Sequence, residues 1–198
     1  MLALAMDPRA EPSPTPGLSV ESLRAQDPMA FRAFVVQHQR QVFALLSRMT
    51  GRGPHVDDLA QEVFLRAYRA LPNFDPAGPA KLSTWLLTIA THLALDERKK
   101  KRLPLADIAL AEQQPGGASP EAEHARGELR IALERAAREL PDDQCAAMVL
   151  AEFHGLSLKE VAAVLGAPEA TIKTRVFRAR EKMRHALTAF HEPSRSTP

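Results

Sequence analysis

The stretch APEATIKTRVFRAREKMR, residues 167–184, carries six Lys or Arg against two Glu. Cations at that density can neutralise phosphates, and Arg, Lys and Thr can also hydrogen-bond the edges of bases in a DNA groove. A basic helix can equally be a plain solvated face, so the geometry has to separate the two. At 100° per residue Ile172, Val176, Ala179 and Met183 fall on one stripe, whereas Ala170, Thr174, Phe177 and Arg178 lie on the opposite side. The apolar stripe is complete without Phe177.

The preceding residues position that helix. Ser157 and Glu160 have the spacing of a capping box, which starts a helix in which each side chain satisfies the other's backbone N–H. Leu165, Gly166 and Ala167 form a tight turn, and Pro168 suits the first turn of the next helix. Ala162, Gly166 and Ile172 supply a small residue where two helices touch, a glycine in the turn and an apolar residue closing the core. This is helix-turn-helix spacing, which a bare helical hairpin would share in part. The charges sit on the second helix of the pair, the one that enters the major groove.

Two other stretches could form interfaces. In DDLAQEVFLRAYRAL (57–71) Leu59, Val63, Phe64, Ala67 and Ala70 make a core stripe, while Asp58, Gln61, Glu62, Leu65 and Arg69 share the other face. Leu65 is then an apolar knob ringed by carboxylate and amide. That is either an ordinary exposed leucine or the centre of a small protein-binding spot. In STWLLTIATHLALDERKKKR (83–102) the apolar stripe is Trp85, Leu86, Ile89 and Leu93, which places Trp85 in the core rather than on a base-stacking platform. The five basic residues Arg98 to Arg102 suit either a solvated helix C-terminus or phosphate contact; the polar face of Thr88, Thr91 and His92 leading to them favours phosphate.

The elements that carry these residues are all helical. No segment sustains period-two alternation, so the expected class is all-α: two helical domains joined by a flexible linker, the C-terminal one containing the helix-turn-helix. Residues 1–25 are expected to be a disordered leader, since 7–19 are rich in Pro and poor in apolar groups. The first domain spans 26–102. Pro104, Pro115, Gly116, Gly117 and Pro120 mark residues 103–126 as the linker, the second domain spans 127–190, and 191–198 form a tail. The opening MLALAM lacks a basic n-region, is too short for a signal peptide and meets Asp7 at once, so it reads as an expression artefact or as preceding a start at Met6. No run of apolar residues reaches membrane-spanning length, which argues against membrane insertion. Cys145 is the single cysteine in 198 residues, so no internal disulfide forms, in keeping with a reducing cytosol. A net charge of +2 means that any attraction to nucleic acid comes from uneven charge distribution.

In combination and order, DDLAQEVFLRAYRAL, FDPAGPAKLSTWLLTIATHLALD with its basic end, a linker, and ELPDDQCAAMVLAEFHGLSLKEVAAVLGAPEATIKTRVFRAREKMR resemble the bacterial extracytoplasmic-function sigma factors, from about Ala30 to Leu187. The resemblance implies a two-domain helical subunit that binds core RNA polymerase and directs it to promoters. Its N-terminal domain would grip the clamp of the largest subunit through Asp58, Gln61, Glu62 and Leu65. The −10 element would meet Lys81, Thr88, Thr91, His92, Arg98 and Lys99. The −35 element would be read by Ala170, Thr171, Lys173, Thr174, Phe177 and Arg178, with Phe177 able to contact a thymine methyl and Lys173 and Arg175 or Arg180 positioned for the DNA backbone. An anti-sigma factor is the further expected partner, and the cytoplasm the expected location.

Thr91-His92 departs from the Arg-Asn common in the −10 helix of that family. Leu82 stands where an aromatic is frequent, and the loop NFDPAGPAKLS is slightly long. No Gly-rich phosphate loop, Cys–His pair or His-x-x-x-His pair supports an enzyme, and neither a cofactor, a metal nor a small-molecule substrate is expected. The seven His are dispersed, and His154 reads as a helix-end residue. An ordinary helix-turn-helix regulator or a sigma-mimicking interaction protein are the alternatives; the first leaves the Leu65 face unused, the second the basic reading face. The linker, roughly 25 residues, would span about 25 to 30 Å as a coil and up to about 80 Å extended, against about 70 Å between two promoter elements two helical turns apart. A free chain of compact or variable shape, extended by polymerase, is the expectation.

Overall fold

The structure, a computed structural model, describes residues 19–102, 135–137 and 139–191, and these contain no strand. Helix α1 spans Val20–Arg24, α2 Pro28–Thr50, α3 His55–Ala70 with a 3-10 turn at Leu71–Asn73, and α4 Leu82–Arg102. Helix α5 spans Asp142–Met148 and runs on as a π turn through Val149–Phe153; α6 spans Leu158–Leu165 and α7 Glu169–His191. The expected linker at 103–126 lies outside the described residues, as does the tail from 192.

The helix starts follow from their caps. The Ser22 N–H donates to Ser19 Oγ at 3.2 Å, and the Ala30 N–H donates to Asp27 Oδ1 at 2.8 Å, with Pro28 in the first turn of α2. The expectation of a disordered leader to residue 25 is therefore corrected at its end. Helix α1 forms there because Leu23 is buried against the first domain, and Arg24 reaches the Pro72 carbonyl at 3.4 Å. The expected capping box is present at α6: the Glu160 N–H donates to Ser157 Oγ at 3.2 Å and the Ser157 N–H to Glu160 Oε2 at 2.8 Å. Gly166 ends α6 with φ +59°, a left-handed position that a side chain would strain, and the chain turns directly into α7.

Helices α2, α3 and α4 enclose the first core around Phe34, Leu45, Val63, Ala67, Leu86 and Ala90. Trp85 is half-buried and meets Phe74 with ring centroids 5.2 Å apart, so it packs as expected. The second core gathers Leu150, Val161, Val164, Ile172, Val176 and Ala179 from α5, α6 and α7. Each of the larger side chains removes apolar area worth about 1.5–3 kcal/mol.

The two domains pack against one another and share a continuous core, because α4 also meets α5 and α6. Arg98 is 7% exposed and spans the boundary: Nε donates to Asp142 Oδ1 at 2.7 Å, Nη2 to the Leu140 carbonyl at 2.8 Å, and Nη1 to the Met49 carbonyl at 2.6 Å. The Met49 carbonyl belongs to the last turn of α2, whose carbonyls lack helical partners, so Arg98 also caps that helix. A second bridge is Arg48 of α2, whose guanidinium lies 4.7 Å from the centroid of the Phe153 ring. His154 ends the π turn, as a helix-end residue should.

His154 Nε2 is buried and has no hydrogen-bond partner among the described residues. Burial, aided by the nearby Arg48 charge, lowers the His154 pKa from 6.5 to about 4. Between those values the unfolded chain binds more protons than the folded one, so the contribution of a neutral His154 is complete above pH 6.5 and is lost as pH falls towards 4. Urea unfolding at pH 7 and pH 5 should show wild type losing about 2 kcal/mol more than His154→Gln over that interval. Equal losses in the two proteins would remove His154 as the cause.

Candidate nucleic-acid and protein interfaces

Helix α7 buries Ile172, Val176 and Ala179, with Met183 packed at the edge, as its periodicity demands. What it leaves to solvent is Ala170, Thr171, Lys173, Thr174, Phe177 and Arg178, all exposed on one side of the second helix of the pair. Phe177 is 62% exposed, a large apolar side chain presented within a basic surface. The Thr174 hydroxyl donates to the Ala170 carbonyl at 3.1 Å, which leaves its oxygen able to accept. Arg175 and Arg180 are committed elsewhere. Arg175 Nε lies 2.8 Å from Asp143 Oδ2, and Arg180 Nε donates to Glu152 Oε1 at 3.1 Å, so these two brace α7 against α5 and its π turn rather than standing free.

On α3 the Asp58, Gln61 and Leu65 side chains are exposed and Glu62 is half-buried, with Arg66 Nε 2.7 Å from Glu62 Oε1 one turn along. Leu65 is 43% exposed. It does not stand alone. An open groove of about 540 Å³ runs between α2 and α3, lined by Phe31, Val35, Phe43, Phe64 and Tyr68, with Gln61 and Leu65 at its wall. Single-helix periodicity on α3 could not reveal the α2 half of this groove. The available signal was the surplus of apolar residues on α2, where Met29 and Val36 also remain exposed.

Helix α4 departs furthest from expectation. Lys81, His92 and Lys99 are exposed and Thr88 is half-buried, its hydroxyl donating to the Thr84 carbonyl at 2.9 Å. Thr91 is fully buried, however, and Arg98 nearly so. Neither has surface to offer a nucleic acid in this arrangement. For Arg98 the reason is the second domain, whose Asp142 and Leu140 it reaches; it lies with Lys81, Thr84, Thr88, Thr91 and Leu95 on one stripe of α4. Both ends of that stripe meet the second domain, through Arg98 to Asp142 and Leu140 at one end and through the charge of Lys81 felt by Glu160 at the other. The Glu160 carboxyl is held below its ordinary range chiefly by hydrogen bonds from Ser157, with Lys81 adding to the effect. Of the basic run, Lys99 lies 3.8 Å from Asp96 Oδ1 with most of its side chain in solvent, whereas the side chains of residues 101 and 102 lie outside those described.

No helix among the described residues is long and apolar enough to cross a membrane. Comparison with known proteins shows the family. Residues 34–103 match the family model for sigma-70 region 2, and residues 130–183 match that for sigma-70 region 4. The chain is 34% identical over 178 residues to the RNA polymerase sigma-H factor of Pseudomonas aeruginosa, covering 85% of this chain and 91% of that protein. It is 37% identical over 172 residues to the ECF RNA polymerase sigma-E factor of Escherichia coli, covering 82% and 88%. Among solved structures it resembles CnrH in complex with the cytosolic domain of CnrY, with a TM-score of 0.64 at 27% identity over 86% of this chain and 95% of that one. The fold is shared with the sigma factor RpoE of Bartonella quintana, solved with the anti-sigma factor NepR, at a TM-score of 0.62 and 22% identity over 80% of this chain and 96% of that one. A region 2 domain built on α2 to α4 and a region 4 helix-turn-helix on α6 and α7, in that order along one chain, place this protein in the sigma-70 family, among the extracytoplasmic-function sigma factors.

Proposed function

We propose that this sigma factor engages core RNA polymerase through the α3 face of Asp58, Gln61, Glu62 and Leu65, and reads promoters through the exposed sides of α7 and α4. The observation that carries the proposal is the α7 surface. All six residues assigned to −35 reading are exposed on the groove-entering helix of a helix-turn-helix, and none is needed for the core. Lys173 and Arg178 supply charge for phosphate and base edges, and Phe177 and the Thr174 methyl supply apolar contact to thymine.

Clamp binding on the largest polymerase subunit fits the α3 face. Leu65 and the groove behind it offer apolar burial, and the surrounding carboxylates suit basic residues on a partner. On α4, Lys81, Thr88, His92 and Lys99 line the accessible side for the −10 strand. Base capture there costs a few kcal/mol of unstacking, offset along the phosphates. The chain positions the polymerase and its chemistry rather than catalysing a step itself, and it acts in the cytoplasm. An anti-sigma protein would compete for the same faces.

Run-off transcription with purified core polymerase on a promoter library should show transcripts dependent on this chain. A folded protein that supports none on any template would contradict the reading. Leu65→Asp should fold normally by circular dichroism yet bind core about 2 kcal/mol or more weakly in titration; unchanged affinity would remove Leu65 from the interface. Arg178→Ala should lose roughly 1–3 kcal/mol of discrimination at one −35 position, whereas Lys173→Ala should weaken all promoters alike and lower the salt slope by about one unit. Promoter binding that neither substitution alters would place the reading face elsewhere.

A further inference from the structure

The buried stripe of α7, Ile172, Val176 and Ala179, settles which side of the helix faces inward. It fixes the angle of the helix about its own axis only loosely, because apolar burial is non-directional and tolerates a stripe about 100° wide. Base reading does not tolerate roll. Side chains reach about 5–6 Å from the helix axis, so a roll of about 10° carries their tips about 1 Å sideways. Hydrogen bonds to base edges weaken steeply with misalignment of that kind.

Two ion pairs supply what the stripe lacks. At 100° per residue Arg175 and Arg180 stand on opposite flanks of α7, each between the buried stripe and the reading face. Arg175 Nε lies 2.8 Å from Asp143 Oδ2, and Arg180 holds Glu152 Oε1 through both Nε, at 3.1 Å, and Nη2. A roll in either sense must lengthen one of these pairs. The Arg175 and Glu152 side chains are 26% and 32% exposed, so neither pair is fully screened by water. Both acids come from the segment packed against α7, Asp143 from α5 and Glu152 from its π turn. That placement depends on the π turn. Nine residues apart, or about two and a half α-helical turns, the two carboxylates would point to opposite sides of a continuous α-helix. A π turn winds more slowly, closing its bonds five residues apart, as the His154 N–H does on the Val149 carbonyl at 3.3 Å. Glu152 is thereby carried round towards α7.

We propose that Glu152, presented by the π turn, is a positioning residue for promoter reading: with Asp143 on the other flank it sets the roll of α7, and so aims Lys173, Thr174, Phe177 and Arg178 at the bases together. The proposal rests on the −35 reading above. Glu152 touches no DNA in this role. Because it aims the face as a whole, its loss blurs several base positions at once, whereas the loss of one reading side chain affects one. A phosphate contact, by contrast, acts on all sequences alike and leaves the ratios between them unchanged.

The test reads a ratio: the affinity of the full chain bound to core polymerase for the strongest promoter of a run-off library, over its affinity for the same promoter with single −35 substitutions. A fold defect lowers binding to every promoter alike and leaves that ratio where it was. Glu152→Gln should lower the ratio by about threefold or more at several −35 positions, with helicity unchanged by circular dichroism. Reversing the pair, Glu152→Lys with Arg180→Glu, should recover most of the discrimination that Glu152→Lys alone removes. Asp143→Asn decides the matter if the Glu152 variants do not fold, and the same loss at several positions is expected of it. Wild-type ratios in folded variants would overturn the brace, and so would a loss confined to one position or a uniform loss of affinity. The wild type, measured in the same titration, tests the reading on which the proposal depends: no −35 discrimination sinks that reading, whereas discrimination that the variants leave intact sinks only the brace.

Discussion

A buried guanidinium has five N–H donors to satisfy and cannot shed its proton, so wherever Arg98 is placed the surrounding chain must supply acceptors. Here the acceptors come from two segments far apart in the chain: the end of α2, and the turn that leads into the first residue of α5. The position of the second domain on the first depends on that requirement. Removing Asp142 or rotating the domain leaves a charge buried without its partner, which typically costs about 3–5 kcal/mol unless water reaches it. Opening the domains supplies that water.

The two helices proposed to meet promoter DNA are placed on opposite terms. Helix α7 keeps its reading face in solvent, because Ile172, Val176 and Ala179 bury one side and the ion pairs of Arg175 and Arg180 hold the helix to α5 without using that face. Helix α4 is the central helix of the molecule, with one side given to α2 and α3 and a second to the C-terminal domain. Lys81, His92, Asp96, Lys99 and Lys100 remain exposed along its other side. The α7 face proposed for −35 reading is thus exposed in this arrangement, whereas Thr91 and Arg98 of the face proposed for −10 reading are buried.

Much of this was legible in the residues. The Ile172–Val176–Ala179 stripe, the Ser157–Glu160 capping box and the left-handed Gly166 all follow from spacing and local chemistry within a dozen residues, and the structure places them so. What was not legible involves long separations. Arg98 contacts groups 42 to 49 residues away, and in sequence it is the first of five basic residues at a helix end, indistinguishable from its solvated neighbours. Thr91 shares a polar stripe with Thr88, and nothing in that stripe announces that Thr91 will be fully buried. The groove behind Leu65 likewise needs two helices, and periodicity reads one at a time. Helix α1 was missed because Leu23 is a single apolar anchor after a Pro-rich run, and one buried leucine leaves no period to detect.

The central expectation is that the two domains, which pack together through α4 in this structure, are held apart when this sigma factor works with core polymerase. The most direct measurement is the distribution of distances between fluorophores placed on exposed positions of the two domains, one on α3 away from the Leu65 face and one near the end of α7. The free protein should give a short, narrow distribution, and added core polymerase should convert it to a long, narrow one. A long distance in the free protein, or a short one that core leaves unchanged, would contradict the account.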